Sequence, residues 1–193
     1  MSDFIQFADW PWLLPLAVVL LLLFVWLVYR ILRGKGGGLE QALADISFDR
    51  IDSLIIPSAD EGEILLDYLL LTSQGLLILH VKDVQGSVFG GDKMQDWSVI
   101  NDARRYTFSN PQPALFDRIA AVRQIVRQVP VAGRIVFLDG ADFTKGTPEH
   151  VCDLKELVRE FAEPDKSAAK FKIEAFKPHW DLIRKRALSS SPG

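Results

Sequence analysis

Three ionisable side chains, Asp67, His80 and Lys82, interrupt two runs of apolar residues that are typical of buried strands. An ionisable group in a buried strand is costly to desolvate unless it is paired or serves a function. Alternate residues of a strand face the same side, so His80 and Lys82 share a face. If the two runs pair as an antiparallel hairpin across residues 72–75, Asp67 can approach them. The pattern therefore predicts a cluster of a carboxylate, an imidazole and an ammonium group, as found in ion-pair networks and in catalytic sites.

Taken singly, each of these side chains also has an ordinary structural interpretation. An isolated Asp67 fits a hairpin or edge-strand residue, because perturbed carboxylates are also common in structural networks. His80 alone is typical of a strand histidine whose hydrogen bonds are satisfied, and a lysine at a strand end, such as Lys82, is usually solvated. It is the spacing of the three together that favours a functional site.

The surrounding hydrophobic pattern predicts a layered α/β domain. In chain order it indicates a helix at 39–46, strands at 50–57, 63–71 and 75–84, a helix at 113–129, a strand at 133–138 and a helix from 147 to 161. The first three strands are joined by short turns, which predicts an antiparallel meander. Residues 87–109 indicate one or two short edge strands. Together these elements predict a mixed sheet flanked by helices.

The N-terminus contains a long apolar segment. From Trp10 to Tyr29 no residue is charged, and a helix of about twenty residues spans the roughly 30 Å of a bilayer's hydrocarbon core. A cleaved signal peptide needs a basic start, whereas this one carries Asp3 and Asp9 and no Lys or Arg. A buried core helix is the other alternative, although the segment is long for so small a domain. We therefore expect one uncleaved transmembrane helix at residues 10–30.

The charges that flank this segment predict its orientation. Arg30, Arg33 and Lys35 follow the segment, and no basic residue precedes it. The positive-inside rule then places residues 1–9 outside a bacterial inner membrane and the C-terminal part in the cytoplasm. The single cysteine, Cys152, agrees with a reducing compartment, because it cannot form an internal disulfide.

Composition divides the remainder of the chain into three parts. The glycine-rich residues 31–38 predict a flexible linker, residues 39–165 the α/β domain, and residues 166–193 a basic C-terminal tail. The formal net charge is −3, whereas proteins that bind duplex DNA tightly and without sequence preference are normally basic. The overall charge therefore offers no support for that class of function.

The basic tail has three interpretations. The simplest is a partly disordered, solvated end. Attraction to anionic lipid is the second, because the domain is expected to be tethered at the membrane, and contact with nucleic acid, with Trp180 stacking on bases, is the third. The candidates for contact with phosphate or lipid, two of them from an earlier loop, are Arg104, Arg105, Lys170, Lys172, Arg184, Lys185 and Arg186.

The order of these motifs resembles the NERD (nuclease-related) domain, a branch of the PD-(D/E)xK nuclease-like superfamily. Residues 66–69 (LDYL) are similar to the family's first strand motif, and residues 75–82 (GLLILHVK) to its strand ending in hydrophobic-Glu-x-Lys. Later landmarks that are similar are Gly86, Trp97, Asn110-Pro111 and the strand at 134–137. The resemblance covers about residues 38–162 and implies a nuclease-like mixed sheet flanked by helices.

The resemblance also implies a chemistry. In such a core two carboxylates hold Mg²⁺ or Mn²⁺, the metal activates water, and the lysine positions the nucleophile. Asp67 and Lys82 match catalytic roles, and Glu40 is similar to a helix-borne acid of the family. His80 stands where glutamate is expected, and imidazole is a poor ligand for Mg²⁺ but an acceptable one for Mn²⁺ or Zn²⁺. The candidate metal ligands are thus Asp67, His80 and Glu40, and Ala114 stands near the place of an expected glutamine.

The residues and the resemblance together lead us to expect one of three functions. The first is a degenerate nuclease-like domain that binds nucleic acid or protein at the membrane. The second is an active divalent-metal nuclease that uses Asp67 and Lys82, with His80 as an unusual ligand or base. The third is a protein-interaction scaffold in a membrane assembly, without nucleic acid.

Overall fold

The computed structural model describes four stretches of the chain: residues 19–24, 38–57, 62–163 and 165–189. The chain divides into two units, residues 1–40 and 41–193. In the first unit, residues 19–24 are helical and exposed. Within the four described stretches, no helix is long and apolar enough to cross a membrane. Apart from residues 19–24 and 38, the predicted N-terminal segment, transmembrane helix and linker lie outside the described residues.

Four helices and nine strands are described between residues 38 and 189. In chain order they are α1 (38–46), β1 (Asp49–Pro57), β2 (Glu63–Thr72), β3 (Gly75–Lys82), β4 (Gly86–Phe89), β5 (Asp96–Ile100), β6 (Arg105–Ser109), α2 (Gln112–Ile125), β7 (Val131–Phe137), β8 (Ala141–Asp142), β9 (Val151–Cys152), α3 (Leu154–Phe161) and α4 (Lys166–Ser189).

The main sheet has five strands in the order β1-β2-β3-β7-β9. The first three are antiparallel, as the sequence predicts, and β7 and β9 run parallel to β3. On one face the side chains of Leu69, Ile78 and Ile135 join the core beneath α2. The helix approaches this face closely at Gly133, where an added Cβ would lie 2.8 Å from side-chain atoms of Leu115 and Ile119. The mixed α/β layering is therefore confirmed, and the central strand β3 carries two of the three candidate side chains.

The region between β3 and α2 differs from the expectation of one or two edge strands. Its three strands, β4 to β6, are antiparallel, and they form a second sheet in the order β6-β5-β4-β8 with β8, which follows β7 in the chain and runs parallel to β4. Short strands separated by glycines give a weak local signal, and the sheet is stabilised by a buried aromatic side chain, Trp97, which is 0% exposed. Such packing is a tertiary interaction, which cannot be read from a short stretch of sequence.

Two predicted helix boundaries are wrong. Helix α2 ends at Ile125 rather than at residue 129, and Val126 is extended. Helix α3 begins at Leu154 rather than near Thr147, because the side chain of Asp153 accepts a hydrogen bond from the backbone N–H of Glu156 and caps the helix there. The residues just before this cap, Val151 and Cys152, pair with β7 at the sheet edge instead of extending the helix.

The expectation of a partly disordered, solvated tail is wrong for residues 166–186. They belong to helix α4, which packs against β1 and β2 and buries Ala169, Trp180 and Ile183. The Nε1–H of Trp180 donates to the carboxylate of Asp49 over 2.9 Å, and Arg184 donates to the same carboxylate over 2.9 and 3.1 Å. Trp180 is 1% exposed, so it is not available to stack on a base.

The turn between β2 and β3 requires glycine at position 75. Its φ is +125°, and an added Cβ would lie 2.3 Å from the carbonyl oxygen of Pro130. We expect Gly75→Ala to lower the free energy of unfolding by about 2 kcal/mol or more, because both strain and overlap oppose it. Chemical denaturation measures the loss. Gly62→Ala is the matched control, since no atom lies within 4 Å of its added Cβ, and equal losses in the two variants would contradict the prediction.

Candidate functional site

Asp67 and His80 meet across the β2–β3 pair. Tyr68 pairs with Leu79, so one further step of the same register places Asp67 opposite His80. The Nδ1 of His80 lies 2.7 Å from Oδ2 of Asp67, and the backbone N–H of Val81 donates to the same oxygen over 3.0 Å. The predicted approach of Asp67 to the His80 strand is thus present as a direct hydrogen bond. We refer to these two side chains as the Asp67–His80 pair.

The surroundings of the pair favour the ionised form of Asp67. Burial by itself raises the pKa of Asp67, but the hydrogen bonds from His80 and from the N–H of Val81, with the nearby charge of Arg118, bring this pKa below its ordinary value. An ionised carboxylate can only accept, so Nδ1 of His80 carries the proton of the shared hydrogen bond. The side chains of His80 and Asp67 remain 16% and 27% exposed, which leaves a solvent-facing edge.

Lys82 lies on the same face of β3 but has different neighbours. In the parallel pairing with β7 it stands opposite Phe137, and its Nζ lies 5.7 Å from the ring centre of Phe108. Within the described stretches, no ion pair joins Lys82 to Asp67. The strand therefore brings the three predicted residues to one end of the sheet, with the carboxylate paired to His80 and the ammonium group over an aromatic ring.

An aromatic cluster supports the Lys82 end of the site. The ring of Trp97 packs against Phe108, Phe137 and Phe143, with ring centres 6.0, 6.3 and 6.2 Å away. Its Nε1–H donates to the carbonyl of Gly91 over 3.2 Å. The cluster joins the second sheet to β7, so the position of Lys82 depends on the packing of both sheets.

Arg118 is a residue of the site that the sequence reasoning missed. It lies on α2, and its Nε–H donates to the carbonyl of Leu65 in β2 over 2.8 Å. Its Nη1 is buried and has no hydrogen-bond partner among the described residues. The only sequence signal is its place on the polar side of an amphipathic helix, which does not reveal that this side faces the end of β2. Arg118 adds a positively charged donor beside Asp67.

The residues present do not fit the Mg²⁺ centre that a nuclease-like core implies. One oxygen of Asp67 already accepts two hydrogen bonds, and Nδ1 of its neighbour His80 acts as a donor, which leaves one carboxylate oxygen and Nε2 of the ring as donors to a metal. Glu40 is exposed on α1. In the part of the chain that the structure describes, no group of three or more His, Cys, Asp or Glu side chains is placed to hold a metal ion. Mg²⁺ prefers about six oxygen ligands in octahedral geometry, and this donor set does not supply them.

A buried glutamine, Gln112, begins α2 two residues before Ala114. Ala114 is exposed, whereas Gln112 is 3% exposed. Its Nε2 donates to Oδ1 of Asp92 and to the carbonyl of Glu149, both over 2.7 Å. Gln112 therefore joins the start of α2 to the loop before β9.

The seven basic candidates for phosphate or lipid contact are not gathered at the site. Arg104 and Arg105 lie at the turn into β6, where Arg104 covers the ring of Tyr106 at 5.1 Å. The other five lie on α4. Of these, Arg184 pairs with Asp49, and Lys172 lies 3.5 Å from a carboxylate oxygen of Glu163. Among these five candidates, Lys170 and Lys185 are exposed and form no ion pair with a described residue.

The lowered pKa of Asp67 predicts a pH-dependent contribution to stability. Between its folded pKa and the ordinary value of 3.8 the unfolded chain binds more protons, so stability rises with pH in that window. We expect Asp67→Asn to lower the free energy of unfolding by about 1–2 kcal/mol at pH 7, and this difference to shrink as the pH falls below about 4. Urea denaturation of both proteins from pH 7 to pH 3 measures it. A difference that stays constant over this range would contradict the assignment.

Comparison with known proteins agrees with the predicted family. A family model described as NERD, nuclease-related domain, matches residues 38–138, just over half of the 193 residues. The match starts at α1 and ends just after β7, which is short of the predicted limit at residue 162. It contains Asp67, His80, Lys82 and Arg118. Neither the curated proteins nor the solved structures that were searched include a match.

Proposed function

Because the chain belongs to the NERD (nuclease-related domain) family, we propose that it is a degenerate nuclease domain that binds nucleic acid without metal-dependent hydrolysis. The observation that carries this proposal is the hydrogen bond between Nδ1 of His80 and Oδ2 of Asp67. It occupies one oxygen of the carboxylate that a metal would need and places a donor where a second carboxylate ligand is expected. The site thereby loses a metal ligand while its cations remain.

The cations support binding of a phosphodiester. Arg118 has an unpaired buried Nη1 among the described residues, and an unsatisfied charged donor favours a site that supplies an anionic acceptor. Lys82 stands on the same face as the Asp67–His80 pair. Arginine and lysine contacts to phosphate position a strand without reading its sequence. Binding that is weak, salt-dependent and tolerant of sequence follows from this arrangement.

Anchoring at the bacterial inner membrane is part of the proposal. Its support is the uncharged segment from Trp10 to Tyr29 and the basic residues that follow it. With this orientation the domain lies in the cytoplasm, where nucleic acid is available. Protease added to intact spheroplasts should leave the domain uncut and should degrade it only after lysis. Degradation in intact spheroplasts would place the domain on the other side.

Binding and cleavage by the full-length chain in a mild detergent test the function. Labelled single- and double-stranded DNA and RNA are incubated with the protein in Mg²⁺ and in Mn²⁺. We expect binding that weakens as salt rises, with no cleavage. Cleavage that Asp67→Ala abolishes would establish the active metal-dependent nuclease instead. Absence of binding to every nucleic acid would favour the protein-interaction scaffold.

Lys82→Ala is expected to weaken this binding about tenfold and to lower the slope of log affinity against log salt by about 1, as for one phosphate contact. The physical reason is the loss of one of the two cations, Lys82 and Arg118, that are proposed to contact phosphate. Fluorescence anisotropy at several salt concentrations measures both quantities. The matched control is Lys155→Ala, an exposed lysine on α3. Equal effects of the two substitutions would show that the binding surface lies elsewhere.

A further inference from the structure

A cavity lies beside α2, away from the residues of the Asp67–His80 pair. It is an open groove of about 640 Å³ between α2 and the turn that precedes β9. Its polar lining consists of Arg123, Gln124, Arg127 and His150, and none of the acidic residues that the structure describes lines it. Phe116 and Ala120 are among its apolar lining residues. In a chain whose net charge is −3, a groove with this lining selects for anions.

His150 is held in the groove by an unusual backbone conformation. Its φ is +61°, a left-handed value that is uncommon for a residue other than glycine. The sheet maintains it, because the carbonyl of His150 accepts a hydrogen bond of 2.8 Å from the N–H of Ile135 in β7. The imidazole then meets the ring of Phe116 edge to face, with centres 5.2 Å apart. Strained residues of this kind concentrate at ligand-binding positions.

The two arginines of the groove differ in how they are held. Nη2 of Arg123 donates to the carbonyl of Val131 over 2.9 Å, which fixes that side chain. Arg127 is exposed, and among the described residues it forms no ion pair or side-chain hydrogen bond. The positive charge of Arg127 is therefore available to a ligand.

We propose that this groove binds a nucleoside phosphate, either as a free nucleotide or as one unit of a single strand. The ring of Phe116, which is 46% exposed, offers a face on which a base can stack. Arg127 and Arg123 supply the charge that a phosphate group needs. The volume is within the usual range for small-ligand sites of about 300–1,000 Å³. The inference does not rest on the proposed function, because the groove shares no lining residue with the Asp67–His80 pair, Lys82 or Arg118.

Titration calorimetry on the full-length chain in detergent tests the site with four probes: adenosine 5′-monophosphate, inorganic phosphate, adenosine and a twelve-residue oligoadenylate. The monophosphate is expected to bind at least tenfold more tightly than phosphate or adenosine. Equal affinity for the monophosphate and for phosphate would overturn the proposal, because it would show anion binding without base contact. If only the oligoadenylate binds, and Phe116→Ala and Arg127→Gln both lose that binding, the proposal is supported and the strand is the source of the nucleotide. If only the oligoadenylate binds and either variant binds it normally, the proposal is overturned.

Variants separate this groove from the proposed function. Phe116→Ala and Arg127→Gln change exposed side chains, and each should weaken binding of the monophosphate at least tenfold while the circular dichroism spectrum is retained. Lys82→Ala and Lys155→Ala should leave that affinity unchanged. Loss with Lys82→Ala but not with Phe116→Ala would place the nucleotide at the other site and overturn the proposal. No binding by any probe would overturn it as well.

Discussion

Replacing His80 with glutamate is expected to create a Mn²⁺ site at the end of β3. The variant places a second carboxylate opposite Asp67, where His80 now donates a hydrogen bond of 2.7 Å. Two carboxylates on adjacent strands supply the oxygen donors that Mn²⁺ and Mg²⁺ prefer. We expect the affinity for Mn²⁺ to rise at least tenfold over wild type, which corresponds to about 1.4 kcal/mol. Titration followed by the electron paramagnetic resonance of free Mn²⁺ measures it.

Two controls distinguish a local site from a general gain of charge. His179→Glu adds the same carboxylate on α4 and should leave Mn²⁺ affinity at the wild-type level. Asp67→Asn combined with His80→Glu should remove the gain. If wild type already binds Mn²⁺ as tightly as the variant, His80 is itself a ligand, and the active-nuclease alternative becomes the better account.

The same substitution should make stability depend on the metal. Without metal, two facing carboxylates repel one another and one of them takes up a proton more readily. We therefore expect the metal-free variant to be less stable than wild type at pH 7, and to gain stability as Mn²⁺ is added, by RT ln(1 + [Mn²⁺]/Kd). Thermal unfolding with and without Mn²⁺ follows this change.

Trp97→Ala is expected to cause the largest loss of stability, about 4 kcal/mol, as is usual for a large aromatic side chain removed from a core. Trp97 is 0% exposed and contacts three phenylalanine rings. Chemical denaturation of the full-length chain measures the loss. Phe171→Ala is the matched control, because Phe171 is 79% exposed, and its expected change is within about 0.5 kcal/mol.

This substitution should also disturb the site. Phe108, which lies under Lys82, and Phe137, which stands opposite Lys82 in the pairing of β3 with β7, both pack against Trp97. Under conditions where Trp97→Ala is still folded, we expect its affinity for nucleic acid to fall towards that of Lys82→Ala. A destabilised variant that binds with wild-type affinity would show that the cluster supports the fold without positioning Lys82.

The meander and the approach of Asp67 to the strand that carries His80 could be predicted because their determinants are local. Residues 63–82 form two apolar runs joined by a short turn, which sets the register of the hairpin, and that register brings Asp67 opposite His80. The second sheet could not be predicted in the same way. Its strands are short, and they are held together by Trp97, which lies against Gly90 so closely that an added Cβ at that glycine would be 2.4 Å from the indole ring.

For the C-terminal tail, the sequence-based expectation contained too little structure. Its basic composition and serine-rich end predict a solvated segment, yet Asp49, more than a hundred residues earlier, binds both Trp180 and Arg184. Charged composition indicates which side chains prefer water. It does not indicate whether a distant carboxylate and an apolar surface will together bury one face of the helix.

The sequence by itself determined the α/β class, the antiparallel meander and the histidine in place of a glutamate on the strand that carries Lys82, since strand periodicity and residue identity are local properties. Only the tertiary structure decided that Asp67 is committed to His80, that Arg118 stands beside it, and that Arg123, Arg127, Phe116 and His150 line a separate groove. The contact of Arg118 with β2 and the groove between α2 and His150 join elements that are distant in the chain. Their distances and burial arise from the packing of α2 and the loops around the sheet, which periodicity does not encode.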